Sequence, residues 1–296
     1  MKTIVECNNV ERRFVRGVPV LEGVDLTVGE GSVTGLVGRN GSGKSTLMKC
    51  LLGLIKPQAG EIRVFGIDPF KDPVAVRARI GYVAETLAFP RSTTVEEIFT
   101  IHRRLYKNWD LAFERELVER FSIDRRAKFS KLSKGQAEQA SLVCAIAHRP
   151  DLLLLDEPAG GLDPAARRAF IDVYVSLINR GPVTILLSSH DMIDLERICG
   201  EIAILDKGKI LLKDDLARMR DEMTLAIVPD DVASQFREND LARSAYSGRQ
   251  GGGEARFVLR APLAECQSSL AALGDSLTLQ SMTLGDLFVE LTGGAM

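Results

Sequence analysis

Gly38-Arg39-Asn40-Gly41-Ser42-Gly43-Lys44-Ser45-Thr46 is the stretch that decides how the chain folds. Gly38, Gly43, Lys44 and Ser45 match G-x-x-x-x-G-K-[ST], with three glycines in six positions. Glycine lets the backbone enter φ/ψ regions closed to other residues, so successive N–H groups can aim at one anion. The apolar run 32–37 before the loop reads as a strand, and the periodicity of 45–52 after it reads as a helix. The N-terminus of that helix adds partial positive charge at the loop. Reach and charge then divide the work. The loop amides serve α and β phosphates, Lys44 is a point cation for β and γ phosphates, and Ser45 is a hydroxyl ligand for Mg²⁺.

Towards the amino terminus, residues 2–28 alternate apolar and polar positions, with turn chemistry at Arg16-Gly17 and Glu22-Gly23. They predict antiparallel strands of a half-buried sheet. On spacing alone Phe14 is a core aromatic. Beyond the loop helix, 56–60 is a turn and 61–65 alternates again, predicting a strand that rejoins that sheet. The apolar strand 80–84 ends at Glu85, after which the composition becomes charged and helix-forming over about 86–147. Thr94 and Glu97 have capping-box spacing before a helix with Ile98, Ile101 and Leu105 on one face. A second helix over 109–121 has Leu111, Phe113, Leu117 and Val118 as its apolar set. The basic residues Arg103, Arg104, Lys107, Arg115, Arg120, Arg125, Arg126 and Lys128 read as a solvated face in preference to a docking surface for an acidic partner or anionic lipid.

Leu132-Ser133-Lys134-Gly135-Gln136 opens a further helix. Ser133 and Gln136 read either as a capping box or, with free N–H groups beside a glycine, as a second anion site. The apolar run 152–155 predicts a buried parallel strand ending in Asp156-Glu157-Pro158. One of these adjacent acids is placed to hold Mg²⁺ and the other to polarise a water for attack on a γ-phosphate. A turn at 160–164 precedes a helix over 165–178, and the strand 183–187 ends at Ser188-Ser189-His190. Ligands in open parallel sheets bind beyond the carboxyl ends of strands, which promotes His190, whereas His102 and His148 read as structural. Asp206-Lys207-Gly208 is a hairpin signal between 202–205 and 209–212.

With 132–136 standing just before the Asp156-Glu157 strand and His190 after it, residues 1 to about 220 resemble the ATP-binding subunits of ABC transporters, six motifs falling in order. The resemblance implies an α/β fold: a P-loop NTPase core with a parallel sheet, an antiparallel β subdomain and a helical insertion. It implies that Phe14 stacks on adenine, that Glu85 stands at the Q-loop and that Ser133, Gly135 and Gln136 form the signature. It further assigns Asp156 as the Walker B acid and Mg²⁺ ligand, Glu157 as catalytic base, Asp163 as the D-loop acid and His190 as the γ-phosphate switch. Two positions depart from the family pattern. Glu85 replaces the usual glutamine, keeping an oxygen for Mg²⁺ but losing an amide donor. Lys134 replaces a glycine, adding a cation that either reaches phosphate or faces a partner.

One signature per chain implies a dimer with a second copy or a homologous subunit, two ATP sandwiched between them, and a separate membrane permease driven by their turnover. Residues 221–296, with predicted strands at 225–228, 256–259 and 276–281, a flexible turn at 248–253 and a capped helix over 283–291, resemble the small α+β accessory domain of exporter-type subunits.

Bulk properties fit this reading. The chain has 296 residues, 45% hydrophobic, enough for a sizeable core in one or two domains. The net charge of −2 gives no reason to expect nucleic acid as a partner. Five scattered cysteines without a C-x-x-C pair indicate neither a disulfide framework nor a zinc site and suit a reducing cytosol. Neither a signal peptide nor a membrane-spanning run is present, so the expected location is the cytoplasmic face of a membrane, held there by another subunit. The alternative, a mechanical or regulatory ABC ATPase acting on nucleic acid or ribosomes, has less support, because the chain shows neither a second ABC unit nor heptads.

Overall fold

The protein, in a computed structural model, is described for residues 2–14, 17–86, 89–158, 160, 164–181, 183–273 and 277–293. It divides into two compact units, Met1–Ile210 and Leu211–Met296. The division falls ten residues before the expected boundary at 220.

In the first unit, β1 (Thr3–Arg13) and β2 (Pro19–Gly29) pair antiparallel. β3 (Val33–Val37), buried at every position, feeds the glycine loop and α1 (Lys44–Leu51). β4 (Ala59–Val64) returns to β1, giving a three-stranded sheet ordered β2-β1-β4. After α2 (Pro73–Arg77) and β5 (Ile80–Val83) come the three helices of the insertion, α3 (Val95–Leu105), α4 (Leu111–Arg120) and α5 (Lys134–Ile146). The chain continues through β6 (Leu152–Asp156), α6 (Pro164–Arg180), β7 (Thr184–Ser189), α7 (Met192–Ile198) and β8 (Glu201–Asp206), and β9 (Lys209–Asp215) runs through the division at 210. The larger sheet has the order β5-β6-β7-β3-β8-β9 and is parallel from β5 through β8.

That order decides where the chemistry sits. β6, β7 and β3 stand side by side although 119 residues separate the middle of β3 (35) from the middle of β6 (154), and register aligns Asp156 with Ser188 and Ser189 with Val37. The glycine loop, the Asp156-Glu157 pair, His190 and, one strand further, Glu85 therefore all leave the same carboxyl edge. Leu152–Leu155, Ile185 and Leu186 are almost wholly buried, as a sheet covered on both faces requires.

α5 lies against β5 with almost no space between them. A Cβ added to Gly81 would stand 2.1 Å from the Ala145 carbonyl oxygen, so only glycine permits this approach.

Several local expectations hold. The capping boxes at Thr94/Glu97 and Ser133/Gln136 are both formed, and the 206–209 turn has Lys207 and Gly208 at positive φ. Others need correction. Glu22-Gly23 is not a turn; β2 runs through it, and Gly23 at φ 71° marks a register shift between the Val10↔Val24 and Arg12↔Leu21 pairs. Of the apolar set expected on α3, Ile98 is buried, whereas Ile101 and Leu105 are exposed, as is Leu111 on α4; Val95 and Phe99 supply the packing instead. The basic segment is only partly a solvated face. Arg103 and Arg125 both pair with Glu96 and with the buried Glu114, which also accepts from the Trp109 indole N–H at 2.7 Å. Burial alone raises the Glu114 carboxyl, but the two guanidiniums outweigh it and hold the group below the usual range. His148 is structural as expected: it stacks on Tyr106, its Nε2 lies 3.2 Å from the Ile80 carbonyl oxygen, and burial pulls its pKa down to about 4.

The second unit comprises α8 (Leu216–Glu222), β10 (Met223–Pro229), α9 (Ala233–Glu238), α10 (Asp240–Arg243), β11 (Ser247–Gly251), β12 (Glu254–Arg260), α11 (Leu263–Ser269), β13 (Thr278–Ser281) and α12 (Leu284–Thr292). Its antiparallel sheet is ordered β11-β12-β10-β13. Phe236 and Phe257 pack in its core with ring centroids 4.7 Å apart. Residues 248–251, expected to be part of a flexible turn, pair with β12 as strand β11; only Gly252-Gly253 makes the turn. The short helices α9 to α11 gave no periodic signal because they are too brief to display one.

Candidate functional site

At the carboxyl edge of the large sheet, α1 begins directly after Gly43, whose φ of 113° and a would-be Cβ only 2.6 Å from the Val20 carbonyl oxygen exclude a side chain. Its first residue, Lys44, is buried. The ammonium donates to the carbonyl oxygens of Gly38 at 2.6 Å and Arg39 at 3.2 Å, and lies 3.2 Å from Glu157 Oε1. Ser45 Oγ donates to Asp156 Oδ1 at 3.1 Å. The same carboxylate oxygen accepts from Ser188 Oγ at 2.8 Å, and Ser188 Oγ in turn accepts from the Glu157 backbone N–H at 3.0 Å. Tyr82 reaches Asp156 Oδ2 at 3.5 Å, and burial, reinforced by Asp156, pushes its phenol well above the ordinary range.

Glu157 carries the most constrained geometry. Its φ of 48° is a left-handed conformation that costs a non-glycine residue about 1 kcal/mol or more. The backbone N–H is fixed by Ser188, while Oε1 faces Lys44 and Oε2 lies 2.8 Å from His190 Nδ1. The carboxylate thus sits between a cation and an imidazole, 9% exposed, at the mouth of the glycine loop.

Two open clefts meet there. One, of about 320 Å³, is lined by Arg39, Asn40, Gly41, Gly43, Lys44, Ser45, Thr46, Glu85 and Glu157, together with Val20. The other, of about 470 Å³, is lined by Asn40, Glu85, Thr86, Lys134, Glu138, Glu157, Gly160 and His190. Glu85 is exposed and faces both. Lys134 enters the second cleft and donates to the Gly160 carbonyl oxygen, with Glu138 Oε1 at 3.6 Å. Ser133, Gly135 and Gln136 line neither cleft; the Ser133 hydroxyl accepts from the Gln136 N–H at 3.2 Å as a helix cap. Phe14 is not in the core: it is 44% exposed, with the Arg12 guanidinium carbon 4.8 Å from its ring centroid. Asp163 lies outside the described residues.

Sequence reasoning gave Ser188 no role. Its signal was a polar side chain at the end of an apolar strand, but its use depends on register with Asp156, which only the folded sheet reveals.

The ABC transporter family model matches residues 21–160, from β2 through the Asp156-Glu157 pair. The bacitracin transport ATP-binding protein BcrA of Bacillus licheniformis is 31% identical over 99% of both chains. This chain belongs to the ABC transporter ATP-binding family. The daunorubicin/doxorubicin resistance ATP-binding protein DrrA of Streptomyces peucetius is 29% identical, covering 95% of this chain and 90% of its own. A solved ATP-binding subunit of an ABC transporter superposes with a TM-score of 0.67 at 30% identity, covering 74% of this chain and 92% of that one. As an ABC subunit the chain binds ATP and hydrolyses it, on a P-loop NTPase core of the expected fold class. Among the described residues no helix is long and apolar enough to cross a membrane.

Proposed function

We propose that this ABC subunit binds MgATP in the glycine-loop cleft and hydrolyses it with Glu157 as the base. The observation that carries the reading is the convergence of Lys44, Ser45 and His190 on the adjacent carboxylates of Asp156 and Glu157. Bound phosphates compete with Gly38 O, Arg39 O and Glu157 for the Lys44 ammonium. The amides of Gly38, Asn40, Gly41, Ser42, Gly43 and Thr46 supply the cradle. Withdrawal of Lys44 from Glu157 frees a carboxylate oxygen to accept a proton from water, and His190 holds the other oxygen. Phe14, exposed and free of the core, is the adenine platform.

Ser45 and Asp156 offer a hydroxyl and a carboxylate already in contact, hard oxygen donors of the kind Mg²⁺ takes when phosphates and water complete its shell. Glu85 is a third oxygen at the rim of the same cleft. Held by these oxygens, the ion would neutralise phosphate charge.

Because Ser133, Gly135 and Gln136 stand away from their own chain's phosphate cradle, their proposed contact is with ATP held by a second copy or a homologous subunit, and Asp163 keeps the D-loop role that the family resemblance implies. Residues 1–220 form the nucleotide-binding domain, about 86–147 its helical subdomain, and 221–296 an accessory domain. The dimer drives a separate membrane permease from the cytoplasmic face. The exposed Ile101 and Leu105, one turn apart on α3, are an apolar stripe suited to such a partner. The names of BcrA and DrrA favour export of a drug-like compound, and no nucleic acid is involved. Coexpressed with the polytopic membrane protein of an adjacent gene, the tagged chain is expected to copurify from detergent-solubilised membranes. Recovery solely as a free soluble protein overturns the permease reading.

A further inference from the structure

Outside the motifs, one cluster of charges lies directly behind His190. Arg167, on the first turns of α6, donates through Nε to Asp194 Oδ2 at 2.5 Å and through Nη2 to Asp191 Oδ2. Asp191 is the residue after His190. Its other oxygen, Oδ1, accepts from the N–H groups of Ile193 and Asp194 at 3.0 and 3.4 Å and so caps α7. Its own N–H donates to Ser189 Oγ at 3.0 Å. The backbone on the carboxyl side of His190 is therefore fixed at three points, and the only side chain from another element among them is Arg167.

A salt bridge between two helices is ordinarily a packing feature of small consequence. Three observations separate this one. Asp194 is only 7% exposed, so its carboxylate depends on the guanidinium rather than on water. The fork engages two acids at once, a geometry that fixes direction as well as distance. The pinned residue is covalently next to His190, whose Nδ1 meets the Glu157 carboxylate at 2.8 Å. An error of about 1 Å at such a contact is enough to slow a reaction on the order of a hundredfold.

We infer that Arg167 is a positioning residue for ATP hydrolysis: by clamping Asp191 and Asp194 it holds His190 in register with Glu157, and so sets the rate of the chemical step without contributing to nucleotide affinity. The inference rests on the hydrolytic reading above. It also gives α6 a mechanical task. α6 begins at Pro164, immediately after the segment assigned to the D-loop, so any displacement of that helix is delivered through Arg167 to the backbone beside His190.

The 296-residue chain carries three histidines, so its side-chain ¹⁵N spectrum resolves His190 once His190→Gln is used for assignment. In Arg167→Met the His190 ring signals are expected to shift while those of His102 and His148 stay in place. Steady-state ATP turnover should show kcat lowered about tenfold, with KM and fluorescent-nucleotide affinity within about twofold of wild type. Arg167→Lys, which keeps the charge but loses the fork, should fall between the two, and Asp194→Asn should reproduce Arg167→Met. Unchanged His190 signals in a folded Arg167→Met variant overturn the inference. So does a loss of turnover that merely follows a loss of folded, nucleotide-binding protein. Wild-type protein assayed alongside keeps the two questions apart: no turnover by wild type defeats the hydrolytic reading, whereas normal turnover by both proteins defeats only the role of Arg167.

Discussion

Lys44 is held by three oxygens, and two of them are main-chain carbonyls that the loop itself presents. The geometry makes the side chain the natural point of exchange between protein and phosphate. Lys44→Ala removes the ammonium that lines the cradle cleft and leaves Glu157 buried without that cation. ATP turnover is expected to fall about 100-fold or more, with weakened nucleotide binding, in a phosphate-release assay paired with nucleotide titration. Turnover at the wild-type level removes Lys44 from the mechanism. At this scale the sequence was most legible where the motif is contiguous: loop, acid pair and His190 all stand where their spacing put them. Phe14 was misjudged on spacing because an aromatic left exposed at the end of a strand has the same sequence appearance as one buried in a core. Ser188 and Arg167 were invisible because their partners are 31 and 27 residues away and meet them only through strand register and helix packing.

Among the elements, the helical insertion shows how charge is used in place of apolar packing. Glu114 on α4 is 1% exposed yet ionised, because Arg103 from α3, Arg125 and Trp109 all point at it. Removing its charge strands two guanidiniums that are themselves partly buried. Glu114→Gln is expected to destabilise the protein by about 3 kcal/mol at neutral pH, measured by chemical denaturation. The folded-state carboxyls of Glu96 and Glu114 are both held below their ordinary value of 4.5. Their contribution to stability is therefore complete above that value and is lost as pH falls through the lower folded values. The gap between wild type and Glu114→Gln should accordingly be widest near neutrality and shrink below pH 4.5; a constant gap down to pH 3 contradicts this. Periodicity foretold the helices of the insertion but misassigned the inward face of α3, since Ile101 and Leu105 share the apolar signature of Ile98 while only the fold selects which of them is covered.

For the whole molecule, the order β5-β6-β7-β3-β8-β9 gathers every proposed catalytic group at one sheet edge, and the signature helix leaves its own cradle unserved. The shared-site proposal has a second chain complete it. Glu157→Gln keeps the shape of the side chain while removing the base, so it should bind ATP, hydrolyse little of it and accumulate as a dimer, visible as a doubling of mass by light scattering at saturating ATP and Mg²⁺. A monomer under those conditions contradicts the shared-site proposal for the chain on its own. The second unit has its own sheet and its own buried core around Phe236, and its architecture was the least legible part of the sequence. Strands there were readable from alternation, whereas β11 was hidden by its glycines and α9 to α11 by their brevity.

The contact between β5 and α5 reaches further than its size suggests. At Gly81 nothing but hydrogen separates the sheet from the backbone of the helix at Ala145. That helix is a stiff rod, and its capped start at Ser133 lies about 18 Å away at roughly 1.5 Å per residue. A methyl group slipped in at position 81 would act like a shim beneath one end of a lever, lifting Ala145 and swinging the signature at the far end off its aim. Under the shared-site proposal, this close approach of sheet and helix would be the fulcrum that sets the aim of the signature.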